Sequence, residues 1–341
     1  MKKRIVFVII ALAVTASLLV SGCGTKKASY VGKLFGGENT SAEGETQETA
    51  EHKSLIAKYV SKPGQPYTAH NYMLKKDMTA KHSAEEWLDA DGKLKLPFDP
   101  EDIKETEMKG TLEVVSLIDG TENYYVPDEI AAKATTEELA EVFISYGYNG
   151  GYIPMVFGKF NYYRDYEHAF ALLLCYGSNA LEESLRREDF AKAYLEIYMA
   201  GSENMPEKYE EENFPQYQEL SNKTETLDVI EVLLAQPEAY EQLTNKQREK
   251  LVRRVLEREK QGDEGKLFFD DSEAYWTQFF ACIAGEMYLP DDLAAIPDTT
   301  GGLTGITGAI KRDNNPWLDT INAMEFTEEE QKILEKYFVR R

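Results

Sequence analysis

The chain has 341 residues, 38 of them basic and 60 acidic, for a formal charge of −22. A balance this acidic repels the phosphates of nucleic acid and anionic lipid headgroups, so non-specific nucleic-acid binding is excluded. A hydrophobic share of 43% with 11% aromatic residues is enough for a folded core, and the length suits one large domain or two small ones.

The first element in the chain is an address. Lys2, Lys3 and Arg4 make a positive head, an apolar and uncharged run follows from Ile5 to Val20, and the run closes on Val20-Ser21-Gly22-Cys23. A cationic head, an apolar run and a small-residue cleavage site describe a secretory signal, and the run is shorter than the roughly 20 residues a spanning helix needs. A cysteine placed directly after Val-Ser-Gly resembles the lipobox of bacterial lipoproteins. That resemblance implies cleavage after Gly22, a diacylglyceryl group on the Cys23 thiol, and a mature protein held on the extracytoplasmic face of a membrane. Two acyl chains give a stable anchor where one gives marginal binding. Without its three head residues, the mature chain sets 35 basic against 60 acidic side chains, a balance of −25. Residues 1–22 are thus read as the signal.

Residues 23–51 are rich in Gly, Ser, Thr, Glu, Lys, Asn and Gln without apolar periodicity, and read as a flexible stalk. Residues 52–126 read as a small mixed α/β region. Ser54–Val60 is a short helix candidate, and Ser83 with Glu86 has capping-box spacing. Asp91-Gly92 is a tight-turn signal before the alternating run Lys93–Leu96. Asp119-Gly120, between the strand-like Thr111–Ile118 and Asn123–Val126, is a second, so two short hairpins are expected. Aligning Gly92 with the glycine of a calcium loop puts Trp87 and Phe98 at the first and twelfth ligand positions. Neither can ligate, so Asp89–Gly92 is a turn.

Residues 127–341 are dominated by helix signals. Thr135/Glu138, Asn179/Glu182, Thr244/Gln247 and Thr327/Glu330 all have capping-box spacing ahead of apolar-periodic runs. Asp189 is placed to cap the segment to Met199. Gly201–Ser221, with Pro206 and Pro215, reads as a loop, and Thr224–Ala235 and Asp270–Tyr288 as buried helices. The fold class expected is mainly α: a helical bundle or irregular stack of helix pairs, preceded by a small β-hairpin-containing region.

Val126–Ile130 with Thr135–Leu139, and Asn179–Asp189, resemble two signatures of a group of secreted bacterial proteins to which no activity is attached. The resemblance spans roughly residues 125–200 and implies no site residues. On its own chemistry the second stretch is structural. Glu183 and Arg187, four apart, are expected to pair at the surface of one helix for about 0.2–0.5 kcal/mol. Arg186 and Arg187 near a helix C-terminus suit the helix dipole.

Motifs for chemistry are sparse. There is no Gly-x-Ser-x-Gly elbow, no His-Glu-x-x-His and no Cys–His arrangement. Gly301–Lys311 lacks the Gly-Lys-Ser/Thr end of a phosphate loop and reads as a plain loop. The four histidines (His52, His70, His82 and His168) are scattered, so neither a metal site nor a cofactor is expected, and no catalytic residue is assigned. Cys175 and Cys282 lie in apolar helical runs and read as buried thiols, with a disulfide between them neither required nor excluded.

One stretch stands apart: Tyr146, Tyr148, Tyr152, Phe157, Phe160, Tyr162, Tyr163 and Tyr166, interleaved with Gly147, Asn149, Gly150 and Gly151. The favoured reading has these rings plugging one end of the helical core. The alternative has them stacking on sugars or anchoring a protein, with Tyr148, Tyr152, Tyr162 and Tyr163 as candidate ligand-binding residues. The function expected is a lipid-anchored, extracytoplasmic, non-catalytic module whose partners are the membrane, through Cys23, and a protein or glycan of the envelope. A hydrolase of envelope polymers working through Asp and Glu is the alternative. A solute-binding lipoprotein of a transporter comes third, because it would need repeated βαβ units.

Overall fold

The computed structural model describes residues 54–68, 81–99, 124–149, 170, 173–174, 178–203, 214–263, 277–284 and 315–338, with backbone alone for 147–149, 214–221, 263 and 284. Among them are eleven helices: α1 Leu55–Tyr59, α2 Asp128–Ala131, α3 Thr136–Asn149, α4 Asn179–Leu185, α5 Phe190–Glu203, α6 Phe214–Leu234, α7 Pro237–Gln242, α8 Asn245–Asp263, α9 Gln278–Ala284, α10 Trp317–Ala323 and α11 Glu328–Phe338. The protein is mainly α, as its capping signals and apolar periods predict. No described helix is long and apolar enough to cross a membrane.

Helix α6 is the axis. It packs against α3, α5, α7 and α9, while α8 lies on α5 and is covered by α10 and α11. The reason is in its second half, where Leu227, Val229, Ile230, Val232, Leu233 and Leu234 are all buried. A helix apolar on every side must be enclosed on every side. Its first turns correct the loop expected over Gly201–Ser221: α5 runs to Glu203, and α6 begins at Phe214 and passes through Pro215. Proline is tolerated there because an N–H in the first helical turn has no acceptor within the helix.

Three predicted capping boxes close reciprocally. The amide of Thr135 donates to Glu138 Oε2 at 2.8 Å and Thr135 Oγ1 accepts from the Glu138 amide at 3.2 Å. Thr244 with Gln247, and Thr327 with Glu330, repeat the pattern. The Asp91-Gly92 turn also forms. Gly92 has φ +78°, Asp89 Oδ1 accepts from the amides of Asp91 and Lys93, and a single antiparallel bridge joins Leu88 to Leu94. The second expected hairpin falls, up to residue 123, outside the described residues. Leu55, Ile56, Tyr59, Trp87, Tyr124 and Val126 join the same hydrophobic cluster as the helices, so the described segments 54–68, 81–99 and 124–126 are seated on the bundle core.

Candidate functional site

Helix α4 is a buried element with four polar side chains, Asn179, Glu182, Glu183 and Ser184. It is short, and its sequence, Asn179-Ala180-Leu181-Glu182-Glu183-Ser184-Leu185, is buried at every position. Its polar side chains therefore need partners inside the protein. Asn179 does not open a capping box. Ser178 is the N-cap, accepting from the Ala180 amide at 3.1 Å. The Asn179 amide group instead exchanges two bonds with the backbone of Val126, at 2.9 and 2.8 Å.

Glu182, freed from capping, is 1% exposed. Its carboxylate collects the amide of Ser61 at 2.9 Å, the hydroxyl of Ser61, the amide of Thr68 at 2.6 Å and the hydroxyl of Thr68 at 3.0 Å. Glu183 pairs with Arg187 at 2.7 Å and with Arg186 at 3.0 Å, and accepts from the Tyr67 hydroxyl at 3.0 Å. Arg186 reaches further, donating to the carbonyls of Ser61 at 2.8 Å and Gln65 at 3.1 Å, with its guanidinium over the Tyr67 ring. Arg187 donates to the carbonyls of Ala131 and Ala132 at the end of α2. Burial, then the neighbouring Glu183 carboxylate, push the Tyr67 hydroxyl well above the usual phenol range.

The predicted Glu183–Arg187 pair is therefore real but not a surface pair. It is the core of a cluster of two carboxylates and two guanidiniums, because residues 54–68 and 124–132 lie across the helix. Asp189 also has a second task. Its carbonyl accepts from the amides of Lys192 and Ala193, while its carboxylate accepts from the Thr136 hydroxyl and ties α5 to α3.

A second polar centre lies at the start of α9. Glu231 of α6 and Glu259 of α8 are both fully buried. Glu231 Oε2 accepts from the amides of Gln278 at 2.7 Å and Phe279 at 3.1 Å, and its Oε1 accepts from Tyr198 at 2.6 Å and from Arg258. Arg258 also pairs with Asp228 at 2.8 Å and donates to the Thr224 carbonyl at 3.1 Å. Glu259 Oε2 accepts from the amide of Thr277 at 2.7 Å and from Tyr337 at 2.6 Å, with the Lys336 ammonium 3.2 Å from Oε1. Two carboxylates on two different helices thus satisfy three successive amides that open a third helix, where negative charge is favoured. Burial, then the adjacent carboxylate, raise the Tyr198 and Tyr337 hydroxyls well above their ordinary value.

Chemically, both centres hold their carboxylates as acceptors for fixed donors. No described group of three or more His, Cys, Asp or Glu side chains is arranged to hold a metal ion. Cys282 is a buried free thiol, with the Gln236 amide nitrogen 3.6 Å from Sγ, and burial pushes it up to about 12.

Cys23, Tyr152, Tyr162 and Tyr163 lie outside the described residues, and Tyr148 contributes only backbone, in the last turn of α3. Of the aromatic stretch, Tyr146 is core. Its ring packs 4.8 Å from that of Tyr124, which meets Phe98 edge-on at 4.9 Å. Sequence reasoning passed over Glu231 and Glu259. For Glu231 a signal exists, a single acid inside the apolar run Val229-Ile230-Glu231-Val232-Leu233-Leu234, where an unpartnered charge would not be tolerated. Glu259 sits in a charged run that disguises it.

The chain matches no protein-family model, and neither the curated proteins nor the solved structures contain a significant match to it.

Proposed function

We propose that this chain is a lipid-anchored extracytoplasmic module, tethered through Cys23, that binds a protein or glycan of the cell envelope without catalysing a reaction. The address rests on the lipobox-like end of the signal, Val20-Ser21-Gly22-Cys23. The observation that carries binding over hydrolysis is the state of the buried carboxylates. Glu182, Glu231 and Glu259 each spend their acceptor capacity on backbone amides and hydroxyls of the chain itself. A general acid or base must instead present its oxygen to a substrate within hydrogen-bond reach. The candidate contact residues are Tyr148, Tyr152, Tyr162 and Tyr163. Rings on a Gly-rich stretch supply area for sugar or protein contact at low entropic cost.

Membrane fractionation of Cys23→Ser tests the anchor, and the variant is expected in the soluble fraction. Recovery in the membrane fraction would remove the tether from the proposal. A thermal-shift screen of that variant against peptidoglycan fragments, teichoic-acid pieces and oligosaccharides tests the ligand class. A ligand present at about 100 times its dissociation constant adds about 2.7 kcal/mol. Tyr152→Ala and Tyr163→Ala are expected to abolish such a shift while leaving the unliganded melting temperature in place. Turnover of the bound glycan would replace the binding reading with the hydrolase one.

A further inference from the structure

Residues 54–68 cross the bundle as a strap with two polar anchor points. At the first, the Ser54 hydroxyl donates to Glu238 Oε2 at 2.6 Å and the Leu55 amide donates to Gln236 Oε1 at 2.9 Å. At the second, Ser61 and Thr68 each give an amide and a hydroxyl to Glu182, while Ser61 and Gln65 give carbonyls to Arg186. Leu55, Ile56, Tyr59 and Tyr67 are its buried apolar side chains, with the Tyr59 ring 6.3 Å from Phe170 and the Tyr67 hydroxyl donating to Glu183 at 3.0 Å.

Two features set this strap apart from the helices it lies on. Its fastening runs through side chains of the bundle, so it can lift off by rotation of those side chains without breaking any helix. The charges it covers are also paired among themselves, between α4 and the two residues that follow it. Glu183 holds Arg187 at 2.7 Å and Arg186 at 3.0 Å, and Arg186 stands 3.8 Å from Glu182. When the strap leaves, no ion is stranded, and water can replace the donors that Glu182 loses. An element fastened through side chains across a hydratable polar interface belongs to the low-stability end of a fold.

We infer that residues 54–68 undock from the helical domain as one unit, with Glu182 as the catch, while α3, α5, α6 and α8 stay folded. The strap comes soon after the 23–51 segment, so a pull arriving along the chain from that side meets the Ser54 and Leu55 anchor first and the Glu182 catch next. Undocking bares Leu55, Ile56 and Tyr59 together with the polar face of α4. This holds whether or not Cys23 carries lipid.

Hydrogen exchange followed by mass spectrometry on the full-length protein decides it. Strap peptides are expected to exchange about 100-fold faster than those of α5, α6 and α8, by an opening that spares the bundle. Glu182→Gln is expected to speed the strap roughly tenfold and leave the bundle peptides unchanged. Thr68→Val removes one hydroxyl donor from the strap side and is expected to act on the same peptides by about two- to threefold. It carries the decision if Glu182→Gln does not fold. Strap and bundle peptides exchanging at one rate in the native protein, or variants that speed both together, would show that the strap opens only with global unfolding and would overturn the inference. So would strap exchange that neither variant changes.

Discussion

The two buried polar centres use the same residue types for different ends. Around Glu182 the donors come from a strap and the ions are neighbours on one helix. Around Glu231 and Glu259 the donors come from the opening amides of α9, and the ions sit on α6, α8 and α11. The donors to Glu182 in the first centre all belong to one short segment. The second joins five helices, α5, α6, α8, α9 and α11, and cannot be hydrated without separating them. Removing one member of a buried ion pair costs far more than the pair contributes, because the partner is left charged and unsolvated. That penalty applies fully at Glu231 and only in part at Glu182, whose four donors all come from the strap.

The largest expected effect follows from that difference. Glu231→Ala should destabilise the protein by about 3–5 kcal/mol in chemical denaturation, since it takes one of two carboxylate partners from the buried Arg258 and leaves the Gln278 and Phe279 amides without their acceptor. A loss below about 1 kcal/mol would erase the distinction between the two centres. Alkaline pH should act next. The buried Tyr194, Tyr198 and Tyr337 hydroxyls are raised in the folded state, chiefly by burial. Their contribution is therefore complete below the unfolded tyrosine value near 10 and is lost as pH rises beyond it. Tyrosinate absorbance from these rings should appear only together with unfolding. Free titration near pH 10 would mean that water reaches the deep centre.

Tyr337→Phe is a finer probe. It removes one of the donors to Glu259 Oε2 and leaves the Thr277 amide and Lys336 in place, so about 1–3 kcal/mol should be lost in the same denaturation assay. The smallest effects lie at the surface. Thr327→Ala opens a capping box and should cost about 1 kcal/mol. In that box, partial burial pulls the Glu330 carboxyl upward, but the Thr327 amide and hydroxyl and the Arg253 guanidinium outweigh it and hold it below the usual range. A lowered folded value means that the contribution is present above the unfolded glutamate value near 4.3 and fades as pH falls through the folded one. Glu330→Gln should therefore flatten the acid limb of the stability profile, and an unchanged limb would show the box to be thermodynamically silent.

Local chemistry was legible wherever a residue's partner is three or four positions away. The boxes at Thr135, Thr244 and Thr327 and the Asp91-Gly92 turn formed as read, because each is closed by its own backbone. Asn179 and Glu182 carry the same spacing and do something else. The difference is that residues 54–68 and 124–132 lie across α4, and the amides and hydroxyls of Ser61 and Thr68 and the amide of Val126 take those side chains in place of α4's own first turn. The early start of α6 was missed for a related reason, since Pro215 breaks a helix anywhere but in its first turn.

By itself, then, the sequence determined the mainly helical class, the capped helix starts at Thr135, Thr244 and Thr327, the short helix after Ser54 and the tight turn. The tertiary structure alone decided which acids are buried and what they hold. Capping and periodicity act over one helical turn, whereas Glu182 meets donors 114 and 121 positions away and Glu231 meets amides 47 and 48 positions away. No local pattern can encode a partner at that distance. It is set by which faces the apolar residues bring together, and the buried polar groups then take the donors they find there.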